Sequence, residues 1–194
     1  MRVLSVGFGL LFLTAVTAAQ APPAKAPAKA EPKAAPARSS TSSKPIGTLA
    51  QVMRGLFFPN SNLIFDVQQT DPAAPKKKAE AVGGGATSDF SSIYTGWEVV
   101  ENAAIIISES VDLILKSGRL CDNGKPAPVA RADFQKFAQG LRTAAQKSLA
   151  AAKTKSQEKV ADSANDLADA CLMCHEVYRD KGDAKSPLRC VAPK

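Results

Sequence analysis

Hydrophobic residues recur along most of the chain at spacings of three and four, the period of an amphipathic helix. The clearest run covers Trp97–Ile114 and is expected to end before Gly118. Another begins near Arg131, and a last one runs from about Gln157 to Gly182. The apolar positions of these three predicted helices are Trp97, Val100, Ala104, Ile107, Val111 and Ile114, then Phe134, Phe137, Leu141, Ala144, Ser148 and Ala152, then Val160, Ala164, Leu167, Cys171, Cys174 and Tyr178.

An earlier helix is predicted over residues 47–68, where Leu49 and Met53 open an apolar face. Pro59 is expected to kink or break this helix into two pieces, because proline lacks an amide hydrogen and its ring collides with the preceding turn. Residues 70–92, rich in lysine and glycine, predict a surface loop. Four helices of about twenty residues, with no strand alternation, predict an all-α fold in the form of an antiparallel four-helix bundle.

The segment before the helices has a different composition. A basic start, the apolar stretch Val3–Val16 and the small residues after it predict a secretory signal peptide over residues 1–19. The alternative is an uncleaved membrane anchor, although the run is shorter than the ~20 residues that span a bilayer. Residues 20–45 hold six of the thirteen prolines among Ala and Lys, and predict a disordered tether. The helical domain is then 46–194, expected in the periplasm.

The formal net charge of +7 does not indicate nucleic-acid binding. Six basic residues and one acidic residue lie in residues 1–45, which leaves 19 basic against 17 acidic residues in 46–194. The helical part is therefore nearly neutral, and it lacks the basic surface that a nucleic-acid-binding domain requires.

The last predicted helix contains the sequence Cys171-Leu172-Met173-Cys174-His175, a C-x-x-C-H motif. This motif attaches c-type haem, with two cysteine thioethers and a histidine on the iron. Residues three and four apart share one face of a helix, so Cys171, Cys174 and His175 can all face one porphyrin. His175 is the chain's single histidine. The motif predicts one covalent haem.

Three other uses of these cysteines compete with haem attachment. A dithiol redox pair would be expected at the start of a helix beside a strand, and no strand is predicted. A zinc site could recruit Cys121 or Cys190, but adjacent Cys174 and His175 are awkward ligands for one tetrahedron. A disulfide between Cys171 and Cys174 would have to close a very short loop within a helix.

The segment Cys171–Arg179, C-L-M-C-H-E-V-Y-R, near the C-terminus of a four-helix chain resembles cytochrome c′ and its six-coordinate relatives, the class II c-type cytochromes. The likeness covers residues 46–181. It implies a bundle with haem near one end, His175 as the proximal iron ligand, and roles in periplasmic electron transfer or diatomic-gas binding. It also allows a homodimer. The chain departs from the family in Pro59, the insertion 70–92 and the N-terminal tether.

The other axial position of the iron is predicted to be taken by Met53. In an up-down-up-down bundle the first helix begins at the level where the last one ends, so Met53 and His175 lie at the same end. Met1 belongs to the signal, and Met173 is too near the attachment site to reach the opposite side. The alternative is a core methionine beside a five-coordinate iron, which would bind nitric oxide or carbon monoxide.

Two arginines and two cysteines complete the candidate site. Arg54 and Arg179 are expected near the haem end and could bind its propionates, since guanidinium suits carboxylates; alternatively, both are simply exposed. Cys121 follows the second helix and Cys190 the fourth, so both fall at one end of the bundle. An oxidising compartment favours a disulfide between them over free thiols or an intermolecular pair.

These features predict a periplasmic monohaem cytochrome that transfers one electron at a time to redox partner proteins. A membrane association is expected only if the signal stays uncleaved. No proton donor, nucleophile or substrate cleft is recognisable, so no enzymatic turnover is predicted. The first alternative is a five-coordinate gas-binding haem protein, and the second is a structural zinc module.

Overall fold

A computed structural model describes residues 43–75, 95–179 and 185–191 of the chain. The predicted signal peptide 1–19, all but the last three residues of the tether 20–45, and Gly182 lie outside the described residues. So does most of the predicted loop 70–92. Within the described part, the regular structure is helical, apart from one isolated bridge between Leu120 and Pro126. An all-α fold is therefore present there.

The helical elements follow one another along three stretches of chain. They are α1 (Leu49–Val52), a π-helical turn (Met53–Phe57), α2 (Phe58–Phe65), a 3-10 turn (Asp66–Gln68), α3 (Trp97–Ile114), α4 (Ala132–Lys153) and α5 (Gln157–Tyr178). The four elements before residue 69 form one continuous stretch, called the first helical segment below. This segment packs on α3 and α5, and α4 packs on both α3 and α5.

The first helical segment continues through Pro59, so the predicted break is absent. Its backbone changes to π-helical geometry one turn earlier, where the amide of Phe58 donates to the carbonyl of Met53. Pro59 then lies in the first turn of α2, directly after the π turn, at a position where proline is tolerated. The wider π turn accommodates the proline: the hydrogen bonds change locally from a four-residue to a five-residue spacing, and the helix continues.

The end of α3 agrees with the predicted one, whereas the end of α5 comes earlier than predicted. α3 ends at Ile114, and Gly118 lies in the following turn with a φ of 78° that favours glycine. α5 ends at Tyr178, four residues before Gly182. The starts of α4 and α5 agree with the predicted ones. Arg131 directly precedes α4, and Ser156 caps α5 by accepting a hydrogen bond from the Lys159 amide.

The predicted apolar positions of α3, α4 and α5 face the interior. Fourteen of the eighteen are buried, and the other four, Trp97, Phe137, Cys171 and Cys174, are half-buried. Phe137, Cys171 and Cys174 line a cavity, so their partial exposure marks where the stripe leaves the packed core. Within the described residues, no helix combines the length and apolar character needed to cross a membrane.

The buried stripe should dominate stability. Leu167 on α5 is fully buried, so Leu167→Ala should lower the free energy of unfolding by about 2–5 kcal/mol, through lost transfer energy and a residual cavity. Leu113→Ala on α3, where the side chain is 37% exposed, is the matched control and should cost less than about 1 kcal/mol. Urea unfolding followed by circular dichroism measures both, and equal losses would contradict the assignment of the core.

Candidate functional site

A cavity of about 340 Å³ lies between the first helical segment, α4 and α5. Side chains of Met53 and Phe57 line it from the first segment, and those of Phe134 and Leu141 from α4. Most of the wall is apolar. The volume falls within the ~300–1,000 Å³ typical of cofactor and ligand pockets.

The C-x-x-C-H motif lies in the last two turns of α5 and opens onto this cavity. Cys171, Cys174 and His175 all line it, as the helical spacing requires for residues on one face. The same face carries Leu167 into the core one turn earlier. The packing of α5 therefore fixes the direction in which the motif points.

Both motif cysteines are half-buried free thiols. Burial raises the pKa of Cys171, an effect opposed by the positive charge of Arg179. Burial also raises the pKa of Cys174 to about 11, helped by Cys171 and by Asp133. Thiols with raised pKa values stay protonated at neutral pH, whereas the reactive thiol of a dithiol redox pair has a lowered one. This electrostatic environment argues against the redox-pair alternative.

Met53 opens the π-helical turn of the first helical segment and is half-buried against the core. It lines the same cavity as His175. Phe57, at the other end of the turn, is buried, whereas Phe58 is 65% exposed. π turns occur preferentially at functional sites, because they shift side chains out of the regular helical register. The structure thus brings together the two predicted iron ligands.

Arg54 and Arg179 also line the cavity. The Arg54 guanidinium lies 3.6 Å from the carboxylate of Asp122, and its side chain is 71% exposed. Arg179 is exposed and directly follows α5, where its amide donates to the His175 carbonyl. Both cations lie at the cavity wall, and their contact with propionates remains a prediction.

The predicted pairing of Cys121 with Cys190 is present in the structure, with the two Cα atoms 4.9 Å apart. Both residues are buried, and Cys190 with Val191 forms part of the cavity wall. The disulfide therefore attaches the C-terminal tail beside the motif helix.

A polar network beside the cavity was not predicted. The Tyr178 hydroxyl donates to the Asp133 carboxylate at 2.8 Å, and the Arg131 guanidinium donates to both groups at 3.0–3.1 Å. The ring of Tyr178 meets that of Phe134 edge to face at 5.1 Å. The sequence indicates Tyr178 as a buried position and Asp133 as a helix-start residue. It holds no signal that pairs them, because they are 45 residues apart.

The charges of this network support one another. Hydrogen bonds from Arg131 and then Tyr178 lower the pKa of Asp133 to about 2. Hydrogen bonds to Asp133, and then to Tyr178, raise the pKa of Arg131. Burial, followed by the hydrogen bond to Asp133, raises the pKa of Tyr178. The network therefore stays in one protonation state across the neutral range and anchors the end of α5 to the start of α4.

Comparison with protein-family models, with curated proteins and with solved structures finds no match for this chain. Among the described residues, no group of three or more His, Cys, Asp or Glu side chains could hold a metal ion. That finding lends no support to the zinc alternative. It does not bear on haem, whose iron takes four ligands from the porphyrin and only one or two from the protein.

The network predicts a specific acid sensitivity. The pKa of Asp133 is 3.8 in its unperturbed state and about 2 in the fold, so its contribution to stability is complete above pH 3.8 and disappears as the pH falls towards 2. Asp133→Asn should flatten the pH dependence of the free energy of unfolding in that range. Asp162→Asn, at an exposed position early in α5, is the control. Urea titrations at several pH values measure the effect, and identical slopes for Asp133→Asn and the wild type would contradict it.

Proposed function

We propose that this protein is an exported monohaem c-type cytochrome that carries single electrons in the periplasm. The observation that carries the proposal is one apolar cavity lined by Cys171, Cys174 and His175 of α5 and by Met53 of the first helical segment. Bound there, a covalent haem would supply an iron that accepts and releases one electron.

The residues present fit such a group. Two protonated thiols on one helix face are free to form thioethers, and an imidazole lies on the same face. The remaining wall is largely apolar, as a porphyrin requires. Cys171 and Cys174 would hold the group covalently, and His175 and Met53 would be the protein ligands of its iron.

Other residues of the cavity have supporting roles. Phe57, Phe134 and Leu141 would exclude water, and exclusion of water together with ligand type sets a reduction potential. Arg54 and Arg179 would bind propionates. A thioether opposite histidine suits both oxidation states, so the protein would need little rearrangement on electron transfer.

The proposal includes an antiparallel four-helix bundle as the scaffold. Support comes from the packing of successive elements, α3 on α4 and α4 on α5, with the first helical segment packed on α3 and α5. The disulfide between Cys121 and Cys190 supports an oxidising compartment, in agreement with export by the predicted signal peptide. Redox proteins of the same compartment would be the partners.

Diatomic-gas binding is the second candidate, and one observation favours it. The cavity that Met53 lines is also lined by apolar groups such as Phe57 and Phe65, which would also suit an open iron position for nitric oxide or carbon monoxide. The state of Met53 separates the two functions, because a bound thioether blocks the position.

Covalent attachment is the first test. Chain produced with export and haem-maturation machinery should be red and should carry the mass of one haem after denaturation. The variant Cys171→Ala/Cys174→Ala should lose the bound mass, because both thioethers are removed. Met173→Ala, at the 48% exposed position between the two cysteines, is the control and should keep it. A colourless wild type without added mass would rule out the proposal.

The ligand state is the second test. The wild type should show a low-spin spectrum with the weak long-wavelength band of sulfur bound to ferric iron, and should bind carbon monoxide slowly. Met53→Ala should convert it to high spin and raise the carbon monoxide binding rate about tenfold or more, because the sixth position opens. Leu56→Ala, in the same turn, is the control. A high-spin wild type would refute Met53 ligation and favour gas binding.

A further inference from the structure

The disulfide belongs to a small unit at one edge of the cavity, which we call the cap. The cap consists of loop residues 119–127 and tail residues 189–191. The loop is closed by bonds from the Cys121 amide to the Lys125 carbonyl at 2.7 Å and from the Ala127 amide to the Arg119 carbonyl at 2.8 Å. The tail joins it through the disulfide and through the Asp122 amide, which donates to the Cys190 carbonyl at 3.1 Å.

One side of the cap holds the start of the first helical segment. The Leu49 amide donates to the Leu120 carbonyl at 2.8 Å, satisfying one of the amides that a helix start leaves unpaired. Arg119 is buried, and its guanidinium donates to the Gly47 carbonyl at 2.7 Å. The carboxylate of Asp122 pairs with Arg54, the residue after Met53. The cap therefore contacts the segment on both sides of Met53.

The other side of the cap holds the end of the motif helix. The Cys190 amide donates to the Tyr178 carbonyl at 2.7 Å, one helical turn beyond His175. In the loop, the Asn123 side-chain amide donates to the Arg189 carbonyl at 2.6 Å and fixes the tail next to this bond. The cap thus bridges the helix that carries Met53 and the helix that carries His175.

We infer that the disulfide-closed cap is a positioning device, which holds the Met53 segment and the end of α5 at the separation needed for both side chains to reach one iron, and which closes the cavity at Cys190 and Val191. This inference rests on the proposed function. Cys121 and Cys190 act through the backbone they join and touch no reacting atom.

The bridge matters because it ties the tail to the loop covalently, beside the hydrogen bonds of Asp122 and Asn123. Without it, these are the two hydrogen bonds that join the tail to the loop among the described residues, and such bonds can open locally. Opening would release Cys190 from Tyr178 and expose the cavity edge. The part of the hydrophobic core that lies far from the cap would stay intact.

The test uses the haem-loaded protein with Cys121→Ser/Cys190→Ser. We expect haem to remain attached, the sulfur-to-iron band to weaken, and carbon monoxide to bind the ferrous form about tenfold faster or more. Hydrogen exchange of the backbone amides at Leu49 and at position 190 should accelerate by a similar factor. Val160→Ala, at a fully buried position near the start of α5, is the control: it should lower global stability without moving the band or the carbon monoxide rate.

A second measurement covers failure of the double variant to fold. A phosphine reduces the disulfide of the folded ferrous holoprotein: the two sulfurs gain two electrons and two protons, and the phosphine takes up the oxygen of a water molecule to become its oxide. The haem thioethers are untouched. The carbon monoxide rate should rise on reduction. It should return when oxidised glutathione restores the disulfide, a step in which the glutathione disulfide takes up the two electrons and two protons and becomes two glutathione thiols.

The outcomes separate the two claims. Unchanged spectra and unchanged carbon monoxide rates after both removal and reduction of the disulfide would overturn the positioning role while leaving the cytochrome proposal intact. A wild type without covalent haem would overturn the cytochrome proposal itself. A wild type with haem but without the sulfur band would overturn the Met53 part of the positioning role.

Discussion

The candidate site depends on the three- and four-residue spacing of the α-helix. Cys171, Cys174 and His175 share a face of α5 only while that helix is intact. The same face supplies Val160, Ala164 and Leu167 to the core. Burial of these apolar side chains therefore fixes the rotation of the helix, and the rotation aims the motif at the cavity. The residues that would bind haem and the residues that pack the core therefore belong to one stripe along α5.

The opposite wall obeys a different constraint. A regular α-helix through Pro59 would place the proline ring against the preceding turn. The π turn at Met53–Phe57 removes that conflict and at the same time sets the position of Met53 at the cavity wall. A local change of backbone geometry just before Pro59 thus lies within the segment that would supply the second ligand.

Side-chain periodicity was enough to predict the buried faces of α3, α4 and α5, because each helix exposes its core face as a repeating stripe. The pairing of Cys121 with Cys190 followed from placing two helix ends together. The π turn leaves no such stripe, and proline is a helix breaker at most positions, although its position in the first turn of α2 is tolerated. Contacts such as Leu49 to Leu120 are made by backbone atoms and leave no side-chain pattern to recognise.

The position of the motif also explains why the end of α5 is so heavily anchored. Helix ends fray, because their last carbonyls lack helical partners, and the motif lies within the final two turns. Tyr178 counters this in two ways: its hydroxyl binds Asp133 at the start of α4, and its carbonyl accepts the amide of Cys190. The disulfide then ties Cys190 to the loop after α3. Tyr178, the last residue of α5, is thus held through its side chain by one element and through its backbone by another. His175 lies three residues earlier, so its direction is set by the fold and not by a free helix end.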